Sequence, residues 1–190
     1  MFVGASYTAG LGATPVSNGY AYVLGRMPGW RTQVDGIAGT GFLNPGPKNQ
    51  GTFADRIPLL PTTPHPDLIV FQGGRNDVAY PSAQLRAAVI NTAALTRKRF
   101  HDAQLVFLGP IPAKVPAPPD QVAVERTMRA AAAECHAIFI DPIEQSWITP
   151  GNENGYAGPV PAHPDNEGYA YIAQRLAADL NQLYPDHGQV

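Results

Sequence analysis

The sequence predicts an α/β fold, a three-layer α/β/α sandwich built on a mainly parallel sheet of about five strands. Short apolar runs alternate with amphipathic stretches along the 190 residues, as in a chain that alternates strands with helices. The middle runs are apolar without strict alternation, which is typical of strands covered on both faces. Successive parallel strands require right-handed crossovers. These features together predict a doubly wound sheet.

The predicted strands are short and separated by stretches long enough for a helix. They cover Phe2 to Gly4, Thr32 to Val34, and residues 67–72, 103–109 and 136–141.

The longest predicted helix follows Pro81. Its apolar stripe contains Leu85, Val89 and Thr92 at helical spacing. Ser82 is expected to be its N-cap, because a serine side chain can accept a hydrogen bond from the first turn.

Two further helices are predicted in the C-terminal half. Asp120 is expected to cap a helix that runs through His136, since the proline-rich segment before it cannot be helix interior. The last helix is expected from about Asn166 towards Leu183.

Composition limits the classes of protein. A hydrophobic content of 44% with 15% charged residues indicates a folded globular chain, and 190 residues suit one domain, 1–190. A net charge of -2 gives no reason to expect nucleic acid or an anionic membrane as partner.

A single cysteine, Cys135, excludes an internal disulfide and a cysteine-built metal site. No run approaches the ~20 apolar residues of a membrane span. Because the first strand begins almost at Met1, we expect this domain to have been cut from a longer chain.

Chemistry is expected in the loops that follow the strands, because the carboxyl ends of parallel strands form the functional crevice of such folds. Ser6 follows the first strand, and Gly39 lies in the glycine-rich loop after the second. Asn76 follows the third strand in "GRND", and His163 precedes the last helix.

These four residue types fit acyl transfer through a nucleophilic serine. A hydroxyl becomes a good nucleophile when an imidazole takes its proton, and the resulting oxyanion needs donors already in place. Ser6 and His163 supply the first pair. The N–H groups of Ser6 and Gly39 and the amide of Asn76 are candidate oxyanion donors, although Gly36 and Gly41 share the loop of Gly39 and are alternatives.

The sequence resembles the SGNH hydrolases, also called GDSL-type esterases. The four blocks that carry the resemblance cover the chain nearly end to end: "GAS" at 4–6, Gly39 in "GIAGTG", "GRND" at 74–77 and "HPDNEGY" at 163–169.

The resemblance implies a flavodoxin-like fold and a role for each matched residue. Ser6 would be the nucleophile, Gly39 and Asn76 oxyanion-hole donors, and His163 the general base. Asp77 would hold its loop rather than touch the substrate.

Two positions depart from that family's pattern. The first block normally reads Gly-Asp-Ser, and this chain has Ala5 in place of the aspartate. The last block normally has an aspartate three residues before the histidine, where this chain has Val160. Such an acid fixes the imidazole tautomer and stabilises the imidazolium, so another group must orient His163.

Several groups are candidates for that task. A backbone carbonyl in the loop before His163 is one. Asp165 is a possible acid substitute, although helix capping is the competing interpretation. Asp141 and Glu153 are further carboxylates without a spacing argument.

The predicted function is hydrolysis of short acyl esters, such as acetyl esters, and a carbohydrate is one candidate for the alcohol. No metal or other cofactor is needed. Two alternatives remain open: an acyltransferase that uses the same site, and a non-catalytic domain that binds glycan or serves in assembly. Aromatic side chains could stack on a sugar, line an acyl pocket or pack in the core; these are Tyr7, Tyr80, Trp147 and Tyr156.

Overall fold

A computed structural model describes residues 1–156 and 158–184, with the backbone alone at 155 and 156. Its centre is a five-stranded, all-parallel sheet in the order β2-β1-β3-β4-β5. The strands are β1 (Phe2–Gly4), β2 (Val34–Gly36), β3 (Leu68–Gln72), β4 (Gln104–Leu108) and β5 (Ile138–Ile140). The predicted α/β class and strand number are confirmed.

Helices cover both faces of the sheet. They are α1 (Tyr20–Leu24), α2 (Phe53–Arg56), α3 (Ser82–Arg99), α4 (Pro119–Glu134) and α5 (Asn166–Leu183). Helices α1 and α5 share one hydrophobic cluster, and the other cluster contains side chains of α2, α3 and α4. Successive residues of β3 alternate between the two clusters, because neighbouring strand side chains point to opposite faces. This gives the predicted three layers.

The starts of one strand and two helices differ from the sequence prediction. Strand β2 lies two residues later than expected, at Val34–Gly36. Ser82 is the first residue of α3 rather than its cap, and Pro81 holds the N-cap position without a side-chain hydrogen bond. Likewise α4 begins at Pro119, one residue before the expected cap Asp120. A proline suits a helix start because its φ is already helical and it has no N–H to satisfy.

Helix α4 also ends earlier than predicted. It stops at Glu134, and His136 has a φ of +52°, which is incompatible with a continued right-handed helix.

Strand order brings the predicted site residues together. The order 2-1-3-4-5 places the topological switch between β1 and β3, where ligands bind in this architecture. The last residues of these strands, Gly4 and Gln72, are paired. Ser6 and Asn76, which follow those two residues, therefore emerge side by side.

Over residues 1–156 and 158–184, no helix has the length and hydropathy needed to cross a bilayer.

Candidate active site

Ser6 and His163 are in direct contact. The Ser6 Oγ lies 2.8 Å from Nε2 of His163, although 157 residues separate them in the chain. Both side chains are half-buried and line one cleft at the carboxyl edge of the sheet. This separation is within the range expected for a nucleophile and its base.

A tight turn after β1 presents the Ser6 hydroxyl. The N–H of Leu11 donates to the carbonyl of Ser6 at 3.0 Å, and the N–H of Ala9 donates to that of Ala5 at 2.9 Å. Gly10 has a φ of +77°, so the chain reverses where a side chain would be strained. These bonds fix Ser6 two residues beyond the strand.

A compact turn before α5 holds His163. Its N–H donates to the carbonyl of Val160 at 3.1 Å, and its own carbonyl accepts from the N–H of Gly158 at 3.0 Å. Ala162 has a φ of +60°, in the left-handed region that non-glycine residues seldom adopt. Such a conformation persists only where surrounding contacts hold it.

The second ring nitrogen of His163 has a backbone acceptor. Nδ1 lies 2.9 Å from the carbonyl oxygen of Pro161. A carbonyl can only accept, so Nδ1 carries the proton and Nε2 is free to accept from the Ser6 hydroxyl. The imidazole thus has the tautomer and direction of a general base.

The three candidate carboxylates have other partners. Asp165 accepts from the N–H of Gly168 at 2.8 Å and caps α5, so the suggestion that it replaces the missing acid is not supported. Asp141 is bonded to Arg129, and Glu153 accepts from the N–H of a proline-rich loop residue at 2.7 Å. The capping interpretation of Asp165 therefore fits the structure.

The candidate oxyanion donors have free hydrogens. Within the described part of the chain, the N–H groups of Ser6 and Gly39 donate to no hydrogen bond. Nδ2 of Asn76 donates to the carbonyl of Thr40 at 2.8 Å, and its second hydrogen remains available. That bond also ties Asn76 to the loop of Gly39, whose φ is +81°.

The two alternative glycines have packing roles. The N–H of Gly41 is used, donating to the carbonyl of Asn44 at 2.8 Å. A Cβ at Gly36 would lie 2.3 Å from the backbone nitrogen of Ala9, so this glycine permits close approach of two loops. The N–H of Gly39, unlike that of Gly41, donates to no backbone carbonyl of the described residues.

Asp77 organises the site without facing the cleft. It is fully buried and accepts three backbone N–H groups of the glycine-rich loop at 2.9 to 3.1 Å, those of Phe42, Leu43 and Asn44. Burial raises the pKa of Asp77 above its ordinary value, and the three N–H donors oppose that shift. The expected loop-holding role agrees with these contacts.

The cleft beside Ser6 is small and mixed in character. Its volume is about 170 Å³. Its lining includes small or apolar groups, namely Ala5, Gly73 and Val78, and polar side chains: Gln72, Arg75, Asn76, Asp120 and Gln121.

The aromatic candidates separate into different environments. Tyr7 lines the cleft and is 4% exposed, whereas Trp147 is fully buried in the core. Tyr80 is half-buried. The side chain of Tyr156 lies outside the described residues.

Among residues 1–156 and 158–184, no three His, Cys, Asp or Glu side chains are grouped closely enough to hold a metal ion.

Sequence reasoning missed the hydrogen bonds of Arg75 and Tyr7. Arg75 occupies the variable position of the "GRND" block, and its guanidinium reaches both Tyr7 and the carbonyl of Ala162. No local pattern signals a contact between residues 87 positions apart.

A doubly wound fold with a serine and a histidine in contact at its carboxyl edge defines a serine-hydrolase type of site. Residues 2–171 match the GDSL-like Lipase/Acylhydrolase family model. The chain therefore belongs to that family.

The chain is also similar to individual proteins, in sequence or in fold. A GDSL lipase of Mycobacterium tuberculosis is 27% identical over 147 residues, which are 76% of this chain and 61% of that protein's length. Among solved structures, a carbohydrate acetylesterase from Sinorhizobium meliloti superposes with a TM-score of 0.75 at 12% identity, covering 96% of this chain and 98% of that chain. The aryl esterase of M. smegmatis has a TM-score of 0.74 at 15% identity, with 96% and 97% covered.

Proposed function

We propose that this protein is a serine esterase that hydrolyses short-chain acyl esters through an acyl-enzyme on Ser6. The observation that carries the proposal is the chain of contacts from the Ser6 hydroxyl to Nε2 of His163, and from Nδ1 to the carbonyl of Pro161. It provides a nucleophile, a base and a group that orients the base.

The reaction follows from these contacts. Ser6 Oγ attacks the ester carbonyl carbon while its proton moves to Nε2 of His163. The N–H groups of Ser6 and Gly39 and the free amide hydrogen of Asn76 stabilise the oxyanion. The C–O bond to the alcohol then breaks, and the alcohol oxygen takes the proton from Nε2. Water attacks the acyl-enzyme by the same route, releases the carboxylic acid and restores the Ser6 hydroxyl.

The size of the cleft favours a small acyl group. Its volume of about 170 Å³ is below the roughly 300 Å³ at which sites for drug-sized ligands begin. Ala5 and Gly73 leave room near Ser6 for an acetyl group, and a long acyl chain would extend over polar side chains.

The polar wall of the cleft favours a hydroxylated alcohol. Asp120 and Gln121 offer donors and acceptors within the same cleft. Structural neighbours described as carbohydrate esterases, one of them from Clostridium thermocellum in complex with cellohexaose, are consistent with an acetylated sugar as substrate.

A fluorophosphonate probe and an acyl series test the proposal. We expect the probe to label Ser6, and 4-nitrophenyl acetate to be hydrolysed faster than the octanoate. Ser6→Ala should abolish both labelling and hydrolysis, whereas Ser17→Ala, at an exposed serine, should retain them. A folded wild-type protein that shows neither labelling nor hydrolysis would refute the esterase.

The same assay distinguishes the alternatives. With a sugar acceptor present, acyl transfer without appreciable hydrolysis would identify an acyltransferase. A glycan-binding domain that had lost its chemistry would bind without labelling. The contact between Ser6 and His163 supports a chemically competent site.

A further inference from the structure

The turn that carries His163 is held from outside by two side chains. Tyr7 OH donates to the carbonyl of Ala162 at 2.9 Å. Nη1 of Arg75 donates to the same carbonyl at 3.0 Å and to the Tyr7 oxygen at 2.8 Å. The three groups form a closed triangle of hydrogen bonds on one peptide of the turn.

The backbone of Ala162 connects Pro161, which orients the imidazole, to His163, which carries it. Ala162 follows Pro161, whose carbonyl accepts from Nδ1, and precedes His163. With its φ of +60°, Ala162 has a backbone conformation that external contacts must maintain. A rotation of this peptide about the Cα of Ala162 would move the imidazole relative to the Pro161 carbonyl.

Tyr7 and Arg75, which together form a clamp on the turn, are themselves held in place. Tyr7 directly follows Ser6 and is 4% exposed, with its ring centroid 5.4 Å from that of His163. Burial raises the pKa of Tyr7 above its ordinary value, so the hydroxyl stays protonated and donates. Arg75 follows Gly74, whose φ is +105°, and its guanidinium lies 5.2 Å from the Tyr7 ring centroid.

We propose that Tyr7 and Arg75 are positioning residues that hold the His163 turn in the catalytic geometry, doing together what the aspartate absent at position 160 does elsewhere in the family. This inference rests on the proposed function. A carboxylate would accept a hydrogen bond from the imidazole directly. Tyr7 and Arg75 instead bind the backbone of the turn that positions the imidazole.

Steady-state kinetics of purified Tyr7→Phe and Arg75→Met on 4-nitrophenyl acetate test the clamp. We expect kcat to fall about tenfold in each, because small displacements of a catalytic group are costly, while KM changes less than twofold. Arg75→Lys, which keeps a cationic donor, should recover part of the loss. The double variant should lose less than the product of the two single losses, because both side chains bind one carbonyl.

A second tyrosine and arginine provide the matched control. Tyr171 OH donates to the carbonyl of Trp147 at 2.7 Å, and Nη1 of Arg175 lies 3.5 Å from the Tyr171 oxygen. Tyr171→Phe and Arg175→Met remove similar bonds away from the Ser6 cleft, so kcat should be retained.

The outcomes separate the clamp from the esterase itself. Unchanged kcat in both Tyr7→Phe and Arg75→Met, with Ser6→Ala inactive, would overturn the clamp and leave the esterase standing. A raised KM with unchanged kcat would also overturn it, because it would identify substrate contacts. Hydrolysis that survives Ser6→Ala would instead refute the proposed function.

Discussion

The carbonyl oxygen of Pro161 lies 2.9 Å from Nδ1 of His163, on the side of the imidazole where serine hydrolases with a triad place a carboxylate. A carbonyl fixes the same tautomer and ring orientation as a carboxylate. It carries no net charge, so it stabilises the imidazolium less. The pair of Ser6 and His163 is therefore oriented but less strongly activated, and the difference can be measured.

A negative charge introduced at position 160 should raise the rate of ester hydrolysis. The side chain of Val160 is half-buried in the turn that ends at His163. Hydrogen bonds to charged groups contribute about 1 kcal/mol more than neutral ones, so we expect Val160→Asp to raise kcat by roughly fivefold to tenfold. Val160→Asn, of the same shape without the charge, should leave kcat near wild type. An equal effect of both substitutions on the hydrolysis rate would contradict this explanation.

Asp165 should matter for stability and not for chemistry. Its side chain caps α5 through the N–H of Gly168. We expect Asp165→Ala to lower the free energy of unfolding by about 1 kcal/mol, measured in urea, and Asp165→Asn to restore most of it, because asparagine also caps helices. Both should keep kcat within about twofold, since the base itself is unchanged. A loss of about 10⁴ in kcat for Asp165→Asn would instead identify the missing acid.

Replacement of Asp77 by asparagine should lower the stability of the protein. Oδ1 accepts from Leu43 and Asn44, and Oδ2 accepts from Phe42. Asparagine has one oxygen, so an amide N–H would face a backbone N–H. We expect Asp77→Asn to lower the free energy of unfolding by about 1–3 kcal/mol and to reduce kcat, because the loop it holds also contacts Asn76. Asp102→Asn, at an exposed carboxylate, is the control, and comparable losses in both variants would refute the role of burial.

The sequence predicted the parts of the site that topology determines. Ser6 and Asn76 follow paired strands, so their proximity is a consequence of strand order. The sequence also predicted that a backbone carbonyl or Asp165 could orient His163, and the structure distinguishes the two. Choosing between them requires the backbone angles of the turn, because a carbonyl accepts wherever φ and ψ direct it.

Other features had no local signal. The clamp of Tyr7 and Arg75 joins three distant segments through side-chain conformations, which no spacing encodes. The cap assignments of Ser82 and Asp120 were wrong because adjacent prolines compete for the helix start. Local propensity predicted α3 and α4 but not the short helices α1 and α2. The first residue of α3 and of α4 depended on which of two neighbouring residues begins the helix.

A buried pair of carboxylates makes stability depend on pH. Glu125 on α4 is 4% exposed and shares Arg129 with Asp141, which lies at the end of β5. Glu144 also binds Arg129 from the exposed side. Burial, followed by the neighbouring Asp141, raises the pKa of Glu125 to about 7. Glu125 therefore holds a proton in the folded protein at pH values where it is ionised in the unfolded chain.

The raised pKa of Glu125 determines the direction in which stability changes with pH. A raised folded-state pKa stabilises the protein below the unfolded value of 4.5, and this contribution is lost as the pH rises through about 7. The contribution is on the order of 3–4 kcal/mol, since each pKa unit between 4.5 and about 7 is worth about 1.4 kcal/mol. The pKa of Asp141 is lowered, so its own titration lies below this window.

Glu125→Gln should remove the part of the pH dependence that Glu125 causes, between about pH 4.5 and pH 7. Glutamine resembles the protonated acid, because it can accept from Arg129 and donate to Asp141. Burial lowers the pKa of the Met1 amino group to about 6, which changes stability in the opposite direction near neutral pH in both proteins. We expect urea unfolding to show wild-type stability falling relative to that of Glu125→Gln as the pH rises across the window of Glu125. Glu134→Gln, at an exposed carboxylate of the same helix, should keep the wild-type slope. Parallel curves for wild type and Glu125→Gln would mean that the shared proton resides elsewhere, because a residue that does not titrate in this range cannot produce the slope.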